Sequence, residues 1–237
     1  MKLLCGSDFH GTMPKKIKEV ISKEKPVAML YAGDMPPHPW DDGTLEDVTE
    51  GLASLEVPVY AVAGNMDDPE YLKLLDISNP SFNYLGMQKV EIDGFTLVGF
   101  TDYSMPLPFA FKNLMTEVFE KFENALKGCD PMKTIIVNHV PPKDTKVDFA
   151  TAWGFDEHAG DDALRAVIEK FQPLLVVCGH IHEAKGTDKI GRTLILNTAT
   201  TLSVVELEAG TEPTITFYDE PAADGAKGRK KQAKKKQ

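Results

Sequence analysis

Five short apolar runs, each closing on an oxygen or nitrogen donor, constrain this chain more than any other feature. Residues 1–7 run into Asp8-Phe9-His10, residues 27–32 into Gly33-Asp34, and residues 57–63 into Gly64-Asn65. Residues 134–137 close on Asn138-His139, and residues 174–178 on Gly179-His180-Ile181-His182. Runs of this length, rich in branched side chains, read as strands buried on both faces. In open α/β sheets, ligands gather just beyond the carboxyl ends of the strands. Laid side by side, these strands would bring seven donors to one edge: Asp8, His10, Asp34, Asn65, His139, His180 and His182.

Helical periodicity fills the intervals between the runs. Pro14 suits a first helical position, with Ile17, Val20 and Ile21 following at helical spacing. Leu45, Val48, Leu52 and Leu55 mark a second helix, and Pro69 opens a third through Leu72 and Leu75. Residues 82–85, 87–92 and 95–100 read as short strands, the last two joined by an Asp93-Gly94 hairpin turn. Another helix is expected over 113–127, and one capped by Asp161 or Asp162 carries Leu164, Val167, Ile168 and Phe171. Three strands follow His182, near 192–197, 202–208 and 213–218. Strands in both halves with flanking helices predict an α/β (α+β) fold, a four-layer αββα sandwich of two mixed β-sheets flanked by helices.

A chain of 237 residues, 42% of them hydrophobic, can bury a substantial core, and residues 1–220 are read as one domain. Cys5, Cys129 and Cys178 are odd in number and unpaired in spacing. Two lie in expected strands, where a reduced thiol behaves as a small hydrophobe, so a cytoplasmic location is expected. Leu3-Leu4-Cys5-Gly6 superficially resembles a lipoprotein signal, but no apolar region of signal length precedes it. No apolar stretch approaches the roughly 18–20 residues a membrane span needs. The net charge is −10, yet residues 221–237 hold seven basic groups against one acid, leaving −16 on residues 1–220. That tail has no apolar periodicity and reads as disordered. It is either a solubilising appendage or a contact for nucleic acid or another polyanion.

The donor chemistry is specific in its mixture. Asp8 and His10 reach one ion if the chain turns between them, and Asp34 has the two oxygens needed to bridge two ions. His180 and His182 would point to opposite faces of a regular strand, so both serve only on a turn or at two different ions. Glycine before Asp34, Asn65 and His180 permits close backbone approach. Imidazole and oxygen ligation without thiolate fits Mn, Fe, Ni, Co or Zn. Each piece alone is compatible with an ordinary turn. All five in order, each at a strand end, are not.

The ordered set Asp8-x-His10, Gly33-Asp34, Gly64-Asn65-x-Asp67, His139-x-Pro141-Pro142 and Gly179-His180-x-His182 resembles the calcineurin-like metallophosphoesterase superfamily over about residues 1–210. The short connections resemble its small bacterial and archaeal phosphodiesterase branch. The resemblance implies two divalent ions, with Asp8, His10 and His182 on the first, Asn65, His139 and His180 on the second, and Asp34 between them. It also implies hydrolysis of a small phosphoester, most simply a small or nucleotide-like phosphodiester, by a hydroxide bridging the ions. Many relatives carry His directly after Gly-Asn to assist the leaving group. Met66 stands there in this chain, so activated diesters should be favoured over substrates with poor leaving groups.

Outside that set, His158 is either a contact to phosphate or a proton donor, or an ordinary loop or helix-start histidine. His38, in Pro36-Pro37-His38-Pro39-Trp40, is expected to be structural or exposed. Trp40, Phe109, Phe111, Phe149, Trp153 and Phe155 form either a substrate wall or packing beneath long loops. A guanidinium clamp on phosphate would fall to Arg165 or Arg192, which sit more naturally on element surfaces. The alternatives to a phosphodiesterase are a nuclease using the basic tail and a protein-interaction scaffold, as in a retromer subunit that resembles this fold. An acidic body and the absent leaving-group histidine count against the first, seven intact donors against the second. Oligomeric state is not readable from the sequence.

Overall fold

A computed structural model describes residues 1–100, 111–152, 156–208 and 210–218. The expectations for the 221–237 tail, for Phe109, Trp153 and Phe155, and for the Phe111 side chain lie outside the described residues. The elements run β1 (Lys2–Gly6), α1 (Ile17–Glu24), β2 (Ala28–Tyr31), α2 (Leu45–Ala53), β3 (Val59–Ala61), α3 (Pro69–Ser78) and β4 (Phe82–Tyr84). Then follow β5 (Lys89–Ile92), β6 (Phe95–Phe100), α4 (Phe111–Leu126), β7 (Thr134–Asn138), β8 (Phe149–Ala150), β9 (Glu157–His158) and α5 (Asp162–Phe171). The chain closes with β10 (Leu175–Cys178), β11 (Gly186–Ile190), β12 (Thr193–Asn197), β13 (Leu202–Glu206) and β14 (Thr214–Tyr218).

Two six-stranded mixed sheets result, ordered β14-β13-β1-β2-β3-β4 and β11-β12-β10-β7-β6-β5. In the first, β1 to β4 run parallel; in the second, β12, β10, β7 and β6 do. Strand alternation sorts side chains into three apolar seams. Leu4, Met29 and Tyr31 face outward onto Ile17, Val20, Val48, Leu52 and Leu72 of the helical layer. Their neighbours Leu3, Cys5 and Leu30 face inward onto Leu97, Ile135, Val137, Val177 and Leu196 of the second sheet. Ile136 and Val176 face the opposite way, onto Phe122, Leu164, Val167 and Ile168. Helices, sheet, sheet, helices: these are the four expected layers. Each such aliphatic side chain contributes about 1.5–3 kcal/mol on burial, so the sheets hold the rim that carries the donors rigidly.

Local signals act largely as read. Asp93 and Gly94 both take left-handed backbone (φ 50° and 83°), as a two-residue hairpin turn requires. Of the two candidate caps, Asp161 accepts the Ala163 and Leu164 N–H groups at 2.7 and 2.9 Å. Three readings need correction. Pro14 does not open α1; its carbonyl accepts the Ile17 N–H at 3.1 Å, so it opens the preceding turn. Four strands follow His182, because β11 pairs with β12 across a Gly191-Arg192 turn. Its Gly-Thr-Asp-Lys-Ile sequence has no apolar run, and its alternating exposure is that of an edge strand. His158 lies in a short strand, β9, paired with β8, where a loop was expected. All three cysteines are free thiols, Cys5 and Cys178 buried within strands. No helix among the described residues is long and apolar enough to cross a membrane.

Candidate metal centre

The carboxyl ends of β1, β2 and β3 in one sheet, and of β7 and β10 in the other, meet at a common edge. Backbone hydrogen bonds tie the edge together: Asp8 N–H to the Gly33 carbonyl at 2.9 Å, and Gly179 N–H to the His139 carbonyl at 2.9 Å. Beyond the strands the chain turns through left-handed backbone at Asp8 (φ 58°), His10 (φ 42°), Asp34 (φ 62°) and His180 (φ 69°). Asp and His are among the non-glycine residues that tolerate that region best. Two glycines are required by space. A Cβ on Gly64 would sit 2.6 Å from the Asp34 backbone nitrogen, and one on Gly179 would overlap Ser7 Oγ and Asp8 Oδ2.

Two donor groups occupy the edge, Asp8/His10/His182 and Asp34/His139/His180, with the ligand atoms of each within 4.8 Å of one another. In the first, His10 Nε2 and His182 Nε2 lie 3.2 Å apart, and Asp8 Oδ1 is 3.2 Å from His182 Nε2. The other Asp8 oxygen is fixed from behind by the Ser7 hydroxyl and by the His180 N–H at 3.0 Å. In the second, His139 Nε2 is 3.4 Å from Asp34 Oδ2, 3.2 Å from His180 Nδ1 and 3.0 Å from Asn65 Oδ1. Thus Asn65 joins this group, and all seven expected residues are brought together. His180 and His182 fall to different groups: β10 ends at Cys178, and His182 starts a 3₁₀ turn, His182–Ala184.

Outer contacts set which nitrogen is offered. His10 Nδ1 donates to the Pro36 carbonyl at 3.1 Å and His139 Nδ1 to the Ala32 carbonyl at 2.7 Å. Each Nε2 is therefore the nitrogen turned toward its group, the arrangement metal-ligating histidines use. His139 Nε2 has at most one proton to offer Asp34 Oδ2, His180 Nδ1 and Asn65 Oδ1, which surround it at 3.0–3.4 Å, and a cation would satisfy all of them. The donor set therefore fits divalent metal.

The electrostatics agree. Burial raises the Asp8 carboxyl, but the hydrogen bond from His182 and the charge of His139 outweigh it and hold it at about 2. Burial opposes charge on His139, yet the carboxylates of Asp34 and Asp8 lift it to about 9. His180, buried and beside His139, is pushed down to about 4. Two buried carboxylates thus demand positive charge at the centre, and protons compete with metal for it.

Several residues act here without having been assigned roles from the sequence. Asp67 accepts N–H groups from Asp34, Met35 and Gly64 at 2.7, 2.9 and 2.7 Å, buckling two ligand loops together. Its place in Gly64-Asn65-x-Asp67 was the only available signal. The Tyr31 hydroxyl accepts from Phe9 N–H and donates to the Asp34 carbonyl, at 3.2 and 3.1 Å. Met66 contributes its backbone N–H to Asp34 Oδ1 at 2.8 Å. His38, expected to be structural or exposed, packs its ring against that of His10, with centroids 3.9 Å apart, and belongs to neither donor group. His158 is not brought to either donor group. Its Nδ1 pairs with the buried Asp148 at 2.8 Å, and its ring meets Phe149 edge-on at 5.1 Å. Arg165 holds the Lys143 and Asp144 carbonyls and Glu169, and Arg192 the Gln172 carbonyl. Both arginines brace elements, as expected of surface positions.

Comparison with known proteins matches residues 1–184 to the calcineurin-like phosphoesterase family. An uncharacterized protein of Methanocaldococcus jannaschii is 32% identical over 205 residues, 83% of this chain and 87% of that protein. A probable glycerophosphodiester phosphodiesterase of Arcobacter nitrofigilis is 24% identical over 219 residues, 90% of this chain and 78% of that protein. A solved archaeal phosphodiesterase shares the fold at 15% identity and a TM-score of 0.53, covering 92% of this chain and 100% of that one. The family is divalent-metal dependent, and the two donor groups are candidate metal sites. This chain belongs to the calcineurin-like phosphoesterase family and is a metal-dependent phosphoric ester hydrolase.

Proposed function

We propose that this protein is a two-metal phosphodiesterase acting on a small or nucleotide-like diester. Asp8, His10 and His182 would hold one ion and Asn65, His139 and His180 the other, with Asp34 the candidate to contact both. The observation that carries this reading is the pair of donor groups, joined through the His180 N–H on Asp8 at 3.0 Å. The curated relative named as a probable glycerophosphodiester phosphodiesterase supports the diester class. Two bound divalent ions supply Lewis acidity toward a phosphoryl oxygen and a water made acidic enough to attack near neutral pH.

This chain's own residues do the positioning. The Pro36 and Ala32 carbonyls orient His10 and His139, and Ser7 and the His180 N–H pin one Asp8 oxygen so the other faces inward. Met66 has no proton to give a departing alkoxide, so esters of acidic alcohols or phenols are preferred. Nitrogen and oxygen donors without thiolate suit Mn, Fe, Ni, Co or Zn.

The test is hydrolysis of activated mono- and diesters by protein stripped of metal and then reconstituted with Mn or Ni. Reconstituted protein should hydrolyse the diester faster than the monoester, with Asp34→Ala and His180→Ala losing metal and activity together. Undiminished hydrolysis by fully stripped protein would reject the reading.

A further inference from the structure

We propose that Thr200 is a substrate-contacting residue, its hydroxyl donating to a phosphoryl oxygen of an ester held at the first donor group. The inference rests on the phosphodiesterase reading above and adds a residue to it. Its basis is a backbone conformation that threonine does not adopt without cause. Thr200 has φ 55° and is the only β-branched residue in the left-handed region among the described residues. Branching at Cβ makes that region costly, whereas glycine would occupy it freely.

Such strain persists only where the surroundings over-determine it, and it gathers where chemistry needs a fixed group. The turn after β12 is tied to both loops that carry the first donor group. On one side, Thr200 N–H donates to the carbonyl of Ser7, the residue before Asp8, at 3.1 Å, and Ser7 pairs with Ala199 in an isolated bridge. On the other, Asn197 Nδ2 donates to the carbonyl of Ile181, the residue before His182, at 2.9 Å. Asn197 Oδ1 accepts the Ala199 N–H at 2.9 Å, and the Thr198 hydroxyl reaches the Cys5 carbonyl at 3.3 Å. The backbone of the turn cannot relax without moving Asp8 or His182.

Within this frame one side chain stands apart. Every residue from Thr193 to Val205 is buried except Thr200, which is exposed. It lines a cleft of about 470 Å³ together with Asp8, His10 and His182. That is within the size of pockets that take small ligands. The Thr200 hydroxyl has no hydrogen-bond partner among the described residues. Lys15, the one Lys or Arg in the same walls, has no ion pair among them. A hydroxyl and a positive charge thus face the space in front of the donor group, where an anionic ester would lie. Because the turn is already fixed, little order remains to be lost when the hydroxyl takes its partner.

The test separates the hydroxyl from the strain. Thr200→Val keeps the shape and the branching but removes the hydroxyl, Thr200→Ser keeps the hydroxyl, and Thr200→Gly removes hydroxyl and strain together. Each Mn-loaded full-length variant is assayed on bis(p-nitrophenyl) phosphate, and its binding of inorganic phosphate is measured by calorimetry. Thr200→Val and Thr200→Gly should lose about 10- to 100-fold in kcat/KM and in phosphate affinity, the range of a hydrogen bond to a charged group. The loss should fall chiefly in KM, as for a contact made in ground and transition state alike. Thr200→Ser should come back to within about fivefold of wild type, and Mn affinity should change less than about twofold in all three. Thr200→Gly should also melt about 2–4 °C above wild type as the strain is released. Wild-type phosphate affinity in Thr200→Val, equal losses in Thr200→Val and Thr200→Ser, or Mn affinity falling in step with phosphate affinity would overturn the contact. The parent reading fails separately, if metal-loaded protein hydrolyses no diester at all; inorganic phosphate binding would still decide the contact in that case.

Discussion

Asp67 gives the sharpest handle on how the centre is held together. Its Oδ2 accepts the Asp34 and Gly64 N–H groups at 2.7 Å each, and its Oδ1 accepts Met35 N–H at 2.9 Å. Asp67→Asn keeps the shape but leaves one acceptor oxygen. The new amide would face a backbone N–H, so one bond is lost outright and the others lose their charge. Hydrogen bonds to charged groups contribute about 1.5–3 kcal/mol each, so the loss should be about 3 kcal/mol. For a chain of this size that lowers Tm by about 6–12 °C. Because the bonds fix the loops carrying Asp34 and Asn65, Mn affinity should also fall about 10- to 100-fold, as for other outer contacts of metal ligands. Calorimetric unfolding and Mn titration of Asp67→Asn measure both. The exposed Asp76→Asn serves as the control and should stay within about 0.5 kcal/mol of wild type. Wild-type Tm and Mn affinity in Asp67→Asn would refute the buckle.

Three further outcomes follow from the same geometry. Metal-stripped protein should be most stable near pH 6.5, as far as His139 and His180 decide it, and thermal melts across pH check this. His139, raised to about 9, stabilises fully below its unfolded value of about 6.5 and loses that contribution as pH rises through 9. His180, lowered to about 4, stabilises fully above about 6.5 and loses it as pH falls through 4. A melting temperature rising steadily from pH 6.5 to 9 would contradict the His139 assignment. Gly179→Ala, whose Cβ overlaps Ser7 Oγ and Asp8 Oδ2, should cost about 1–3 kcal/mol and weaken Mn binding, read by the same titration. Met66→His should raise hydrolysis of unactivated monoesters in steady-state assays while leaving the Asp34 contact intact, since that contact uses the backbone N–H.

Most of the fold and the donor set were legible because they follow short-range rules. Buried parallel strands announce themselves as apolar runs, and the donors sit where such strands end. What stayed hidden depends on contacts between distant segments. β11 exists because β12 offers an edge, and Thr187, Asp188 and Lys189 give no apolar pattern to read. The role of Asp67 needs the loops after β2 and β3 to lie side by side. His38 looks like part of a proline-rich surface loop until the Pro36 carbonyl is seen on His10 Nδ1 at 3.1 Å. The loop assigned to His158 becomes a strand because Asp148 gathers its N–H donors from Asp144, Thr145 and Gly160, together with His158 Nδ1.

Electron paramagnetic resonance of the Mn-loaded chain tests most directly whether the two groups act as one centre. An exchange-coupled pair of Mn ions is predicted in the wild type, giving way to isolated Mn in His10→Ala and in Asn65→Ala. Isolated Mn alone in the fully loaded wild type, or coupling that survives Asp34→Ala unchanged, would contradict it.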